Sequence, residues 1–367
     1  MPCLHDLSDW PRFSWNERIL QPRLSTARLK QGLLIGQMRA LGFGVREETI
    51  LRTLTEDVVK TSEIEGEKLD AGQVRSSIAR RLGIDVGGLK LADRQVEGVV
   101  EMMLDATTRF DQPLTEERLF SWHAELFPTP RTRTHPIVVG AWRDDRGGPM
   151  QVVSGPVGRE RVHYEAPAAN RLADEMGRFL DWFNADTSTD AVLKAAQAHL
   201  WFVTIHPFDD GNGRIARAIA DMALARSEAS SQRFYSMSAQ IRHERNDYYA
   251  ILQRIQDGTM DITPWMEWFL GCLTRAIESA DATLAGVIAK SRVWERLRDV
   301  SLNDRQRLVI NRLLEGFEGK LTSTKWAVLA KCSHDTALRD IQQLVERGVL
   351  KRDAAGGRST SYSLVGA

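Results

Sequence analysis

Twelve consecutive residues, His206-Pro-Phe-Asp-Asp-Gly-Asn-Gly-Arg-Ile-Ala-Arg217, hold the side chains of this chain best suited to chemistry. His206 carries an imidazole, which titrates near neutrality and can take a proton from an attacking hydroxyl. Asp210 offers a hard oxygen of the kind that ligates a magnesium ion bridging phosphates. Gly211, Asn212 and Gly213 permit left-handed backbone angles, so their successive N–H groups can converge into an anion-binding concavity. Arg214 and Arg217 lie three apart and are therefore neighbours on a helix. Two guanidiniums beside such a concavity suit a polyphosphate, because each presents a planar fork of donors to phosphate oxygens. Singly, a histidine before a proline, a Gly-Asn-Gly turn and an Arg-x-x-Arg face have plain structural explanations; contiguity is what makes one site of them.

These residues need elements to hold them. Proline disfavours helix at the residue before it, so the apolar helix read over 191–204 must stop near His206. A second helix, read over 213–226, points its free N–H groups and positive dipole end back at the loop. Ile215, Ala218, Ile219 and Met222 form its inward stripe. The same spacing of apolar residues recurs over 27–41, 47–64, 94–110, 168–184, 245–256 and 262–290, which predicts a helical core. The interruption at 136–165 carries two β-branched runs, Pro136-Ile-Val-Val-Gly and Met150-Gln-Val-Val-Ser, separated by Gly147-Gly148-Pro149, and predicts a β-hairpin.

His206 through Arg217 matches the Fic family signature HPFx(D/E)GNGRxxR at every specified position, and the chain resembles that family. The resemblance implies a protein adenylyltransferase that moves AMP from ATP to a Ser, Thr or Tyr hydroxyl of a protein partner or of itself. His206 would be the general base, Phe208 the buried anchor of the loop and Asp210 the Mg²⁺ ligand. Gly211, Asn212 and Gly213 would hold the α- and β-phosphates, with Arg214 on the β-phosphate and Arg217 on the γ-phosphate. The segment Thr61-Ser62-Glu63-Ile64-Glu65-Gly66 resembles the family's inhibitory motif (S/T)xxxE(G/N) through Thr61, Glu65 and Gly66. By that resemblance Glu65, at the end of a helix over about 47–66, pairs with Arg217 and denies the γ-phosphate its place.

The hairpin, about 150–165, stands where Fic proteins carry a flap that docks an extended target segment by main-chain hydrogen bonds, here with Val152, Val153, Val162 and His163. Asn246-Asp-Tyr248-Tyr249 and Gln256 lie on a helix where Fic proteins carry a Tyr-Tyr pair near the nucleoside; by that resemblance Tyr249 and Gln256, seven apart on one helical face, would line an adenine pocket, with core packing the competing account. Residues 304–363 resemble a winged helix-turn-helix with a recognition-like helix over 334–347. From Ser291 onward there are 14 Lys+Arg against 9 Asp+Glu, about +5, so this end suits DNA contact, protein contact or a homodimer alike.

Lys+Arg and Asp+Glu both number 49 in 367 residues, which gives no global electrostatic case for nucleic acid or membrane. Cys3, Cys272 and Cys332 lie far apart without a CxxC pair, which argues against a disulfide framework or a zinc cluster and for reduced thiols. With no leader-like or membrane-spanning run, the expectation is a cytoplasmic protein. The expected architecture is mainly α: an N-terminal helical region over 1–110, a Fic helical core with its flap over 111–290, and a winged unit over 291–367. The alternatives kept open are a nucleotide-sensing DNA-binding regulator, and the same scaffold using another nucleotide or removing AMP.

Overall fold

Asn16, Asp70, Asp93, Thr115, Asp190, Ser236, Thr322 and Ser333 each mark a helix start, their side chains accepting a hydrogen bond from a first-turn N–H. The computed structural model describes residues 3–41, 43–84, 90–129, 136–154, 161–185, 188–298, 300–314, 317, 319–353 and 360–365, and it forms two units, Met1–Ala280 and Asp281–Ala367.

In the first unit α1 (Glu17–Ala40), α2 (Phe43–Ile64), α3 (Ala71–Leu82), α4 (Arg94–Thr108) and α5 (Glu116–Leu126) precede the strands β1 (Gln151–Ser154) and β2 (Arg161–Glu165). Then come α6 (Leu172–Asn184), α7 (Ala191–Ile205), α8 (Asn212–Glu228), α9 (Met237–His243), α10 (Arg245–Gln256) and α11 (Thr263–Arg296), within which the unit ends. The helix α7 is buried around almost its whole circumference, as its run of Ala, Leu, Trp, Phe and Val suits a central helix. It packs along α8, against which α4, α5 and α2 also lie.

The end of α2 is built by Gly66 at φ +82°. Glu67 N–H donates to the Ser62 carbonyl and Gly66 N–H to that of Glu63, so the last carbonyls are satisfied as the chain turns away. Further back, Asp57 ties α2 to α9 by accepting from Ser236 Oγ and from Ser238 N–H.

The helices α3, α5 and α9 lie outside the helical segments read from sequence; each is short and carries its own N-cap. The hairpin is narrower than the 136–165 stretch suggested. Its antiparallel register pairs Val152 with Tyr164 and Val153 with Val162, leaving His163 as the extra residue of a bulge. Pro136–Gly140 is not one of its strands: the Val138 N–H donates to Asp209 Oδ2 at 2.8 Å and the Gly140 N–H to His123 Nδ1 at 3.1 Å, so these amides brace a loop instead. The turn containing Gly155 and Gly158 lies outside the described residues.

The second unit comprises the end of α11, α12 (Asp304–Leu314), α13 (Ser323–Leu329), α14 (His334–Glu346), β3 (Leu350–Arg352) and β4 (Tyr362–Leu364). Its core gathers Trp326, Val309, Ile310, Ile341 and Leu344. The strands β3 and β4 pair antiparallel, and Leu321 bridges to Tyr362. The Gly-rich stretch 354–359 lies outside the described residues. Among those residues no helix is long and apolar enough to cross a membrane.

Candidate active site

The helix α7 ends where Pro207 forbids its continuation, and His206 takes a left-handed conformation at φ +51°. For a non-glycine residue that conformation costs on the order of 1–3 kcal/mol, so the surroundings must hold it. Arg143 does so from inside the protein. Its Nε donates to the His206 carbonyl at 2.8 Å, its N–H to the Pro207 carbonyl at 3.0 Å, and a further guanidinium nitrogen to the Pro167 carbonyl at 2.5 Å.

The imidazole is fixed as well as placed. Its Nδ1 lies 3.1 Å from the Val203 carbonyl, which can only accept, so Nδ1 carries the proton and Nε2 presents a lone pair. Burial lowers the His206 pKa to about 4, with Arg143 adding to the effect. The ring is therefore neutral at physiological pH, the form a general base requires.

Phe208 is fully buried and stacks on His123 with ring centroids 4.2 Å apart, between the rings of Trp142 and Phe202. Asn212 closes the loop reciprocally: its Oδ1 accepts from the Phe208 N–H at 3.0 Å and its Nδ2 donates to the Phe208 carbonyl at 2.7 Å. Gly211 sits at φ +81° with Phe127 so near that a Cβ would lie 2.9 Å from its ring. Gly213 is tighter still, since a Cβ there would meet Glu65 Oε1. A side chain would displace the Phe127 ring at the first position and the Glu65 carboxylate at the second.

Arg214 and Arg217 are buried to 1% and 2% exposure, which demands partners for both guanidiniums. Arg217 donates from Nε to Thr61 Oγ1 at 2.7 Å and from Nη2 to both the Thr61 carbonyl at 3.0 Å and Glu65 Oε1 at 2.7 Å. Arg214 lies over the Phe127 ring and donates from Nη1 to Glu67 Oε2 at 2.7 Å. Even so, Arg214 Nε and Arg217 Nη1 are buried without a hydrogen-bond partner among the described residues. Donors left over in this way fit an anion with more acceptor oxygens than two carboxylates supply.

Glu65 and Glu67 stand at the negative end of the α2 dipole, an unfavourable place for anions. Burial also disfavours charge on Glu65, but Arg217, followed by Arg214 and Arg245, outweighs it and holds the carboxyl below its ordinary value. Arg245 in turn donates to the Ile64 carbonyl at 2.8 Å.

Asp210 lies at the mouth of a cavity of about 1270 Å³ whose wall includes Glu65, Glu67, Phe127, Arg143 and Arg146. Its Oδ1 accepts from the Gly211 N–H at 2.6 Å and lies 4.0 Å from Arg214, leaving Oδ2 to a cation. A half-exposed hard oxygen beside anion-directed donors fits Mg²⁺ carried with phosphates.

The structure thus brings Thr61, Glu65, Gly66, His206, Phe208, Asp210, Gly211, Asn212, Gly213, Arg214 and Arg217 to one place. Tyr249 joins them in an unexpected way, its hydroxyl 3.5 Å from Glu65 Oε2 and from the Ile64 carbonyl. Gln256 is buried at the end of α10. On the hairpin, Val153 and Val162 are cross-strand partners about half exposed, Val152 is half-buried, and His163 Nδ1 contacts Gln253 Oε1 at 3.2 Å. Sequence reasoning missed Glu67, Arg143, His123 and Arg245. None belongs to a motif, and each acts on a segment far away along the chain.

The packed helices α7 and α8 carry between them a loop that gathers a neutral histidine, a carboxylate and anion-directed donors on a mainly helical fold. The Fic/DOC family model matches residues 113–224, and a "Domain of unknown function (DUF4172)" matches residues 4–84. The chain thus carries a Fic domain over residues 113–224. It is similar to "Protein adenylyltransferase Fic" of Drosophila willistoni, 25% identical over 226 residues, and of Culex quinquefasciatus, 28% over 219. Each match covers 59% of this chain and 39% of the relative, so the chain spans about two fifths of the length of these relatives. Among solved structures, a Fic family protein from Desulfovibrio desulfuricans superposes with TM-score 0.53 at 24% identity, covering 94% of this chain and 97% of its own. A Fic domain containing signaling protein from Bacteroides thetaiotaomicron gives 0.50 at 21%, covering 73% and 97%. Both likenesses concern the fold.

Proposed function

We propose that this chain is a protein adenylyltransferase held off by α2. The observation that carries the reading is the neutral His206, its Nδ1 proton tied to Val203 and its Nε2 free, beside two buried arginines with donors to spare. ATP would set its phosphates against the N–H groups of Gly211, Asn212 and Gly213, with Arg214 and Arg217 on the β- and γ-phosphates. Asp210 would hold Mg²⁺, which supplies charge neutralisation on the phosphates when bound. His206 Nε2 takes the proton of a Ser, Thr or Tyr hydroxyl as that oxygen bonds to the α-phosphorus. The bond from the α-phosphorus to the bridging oxygen breaks, and pyrophosphate leaves. Preorganised N–H groups and guanidiniums would carry most of the stabilisation.

The pairs Glu65–Arg217 and Glu67–Arg214 occupy both guanidiniums that the phosphates need, and Thr61 holds Arg217 in that pose. The reading is thus of a latch with two carboxylates, one more than the resemblance implied. The bulged hairpin, with Val153 and Val162 exposed, would receive the target segment along a strand edge, and Tyr249 with Gln256 would flank the base. Residues 291–367 are read as a winged helix-turn-helix, with 1–110 and 111–290 as the regulatory and catalytic parts. Incubation with α-labelled ATP tests the activity: label should enter protein and be lost in His206→Ala, whereas γ-label should not enter at all. Equal α-label in His206→Ala would refute it.

A further inference from the structure

Away from the phosphate loop, the first turn of the described chain gathers three side chains of metal-binding type. Cys3, His5 and Asp6 place one ligand atom each within 4.8 Å of one another, with His5 buried, Cys3 half-buried and Asp6 exposed.

The two ring nitrogens of His5 are assigned by their neighbours. Tyr164 donates its one hydroxyl proton to the Thr204 carbonyl at 2.7 Å, so its oxygen must accept in the 2.9 Å contact with His5 Nδ1. Nδ1 therefore carries the ring proton. In the neutral ring Nε2 is a bare lone pair, and it faces Asp6 Oδ1 at 3.3 Å. Two acceptors at that separation repel unless a cation lies between them. Arg171 Nη1 is 3.7 Å from Asp6 Oδ1 and covers that oxygen only loosely.

The spacing also fits a metal. Nitrogen and oxygen ligands about 2.0–2.1 Å from a tetrahedral ion lie about 3.3 Å apart. Tyr164 completes the pattern, since a metal-ligating histidine almost always donates its other N–H to an outer partner that orients it.

We infer that Cys3 Sγ, His5 Nε2 and Asp6 Oδ1 bind one zinc-type divalent ion, with water in the fourth position, fastening the first turn of the chain to β2. A thiolate, an imidazole and a carboxylate together favour zinc over the hard cations Mg²⁺ and Ca²⁺. Binding forms the sulfur–metal bond and releases the Cys3 thiol proton to solvent, with no change of oxidation state. Because Tyr164 belongs to β2, the ion would stiffen the hairpin from behind. The inference is independent of which nucleotide reaction the Fic domain performs.

The test uses the full chain, stripped by a chelator and titrated with Co²⁺ alone, then with Zn²⁺. One equivalent of Co²⁺ should give tetrahedral visible bands and a thiolate charge-transfer band, both removed by Zn²⁺. Cys3→Ser should lose the charge-transfer band, while Cys272→Ser and Cys332→Ser keep it. Tyr164→Phe should weaken Co²⁺ binding by about 10- to 100-fold. Circular dichroism of each variant confirms folding. A folded wild-type chain without the charge-transfer band, or a band that survives Cys3→Ser, overturns the inference.

Discussion

Replacing Glu67 with Gln removes one charge from the end of α2 while keeping the shape of the side chain. Its Oε2 accepts from Arg214 Nη1 at 2.7 Å, with the glutamate side chain 27% exposed and the arginine 1%. A hydrogen bond to a charged group contributes about 1.5–3 kcal/mol, and the exposed quarter of the glutamate lowers that to about 1–2 kcal/mol. Such a loss shifts the balance between latched and open forms by about 5- to 30-fold. The assay is incorporation of α-labelled ATP into the chain itself. Glu67→Gln should label about 5- to 30-fold faster than wild type, and Glu65→Gly faster still. The double variant should fall short of the product of the two effects, because both carboxylates hang from one helix end. Glu63→Gln is the control: it sits in the same turn but pairs with Lys60 and Arg242, and it should change nothing. Labelling of Glu67→Gln at the wild-type rate, alongside activation by Glu65→Gly, would refute the second carboxylate.

Three further outcomes are expected. With the His206 pKa lowered to about 4 rather than 6.5, the base stays unprotonated on mild acidification, so kcat/KM of Glu65→Gly should be level down to about pH 5; an acid limb centred near 6.5 would contradict the burial of that ring. The Glu65 carboxyl is held below its ordinary value, so its contribution to stability is present above the ordinary carboxylate range and lost as pH falls through the lowered value. Glu65→Gln should therefore flatten the acid side of a urea-unfolding series, and an unchanged slope would show the pair to be weak. Phe208→Ala empties the fully buried slot against His123 and should cost about 3–5 kcal/mol in denaturant unfolding; a loss below 1 kcal/mol would mean the loop is not anchored there.

The site was legible wherever neighbours in sequence are neighbours in space. Residues 206–217 form one loop and one helix start, so their types and spacing marked out a candidate anion-binding loop, and the short Thr61–Gly66 segment marked out the helix end that contacts it. Glu67 escaped because Arg214, the partner of its carboxylate, is 147 residues away. Arg143 escaped for the same reason, holding a carbonyl 63 residues on. In the fold, the long apolar rhythms of α2, α4, α7, α8 and α11 were plain, whereas α3, α5 and α9 are short, with starts marked by single caps rather than by periodicity. The β-branched Pro136–Gly140 run looks like a strand, yet its amides are taken by Asp209 and His123. Tertiary hydrogen bonds there override local preference.

Intact-mass spectrometry of Glu65→Gly after incubation with ATP and Mg²⁺ addresses the central claim most directly. The chain should gain the mass of one or more AMP groups on Ser, Thr or Tyr, and the Glu65→Gly/His206→Ala double variant should gain none. No added mass in a folded Glu65→Gly chain, or the same gain without His206, would contradict it.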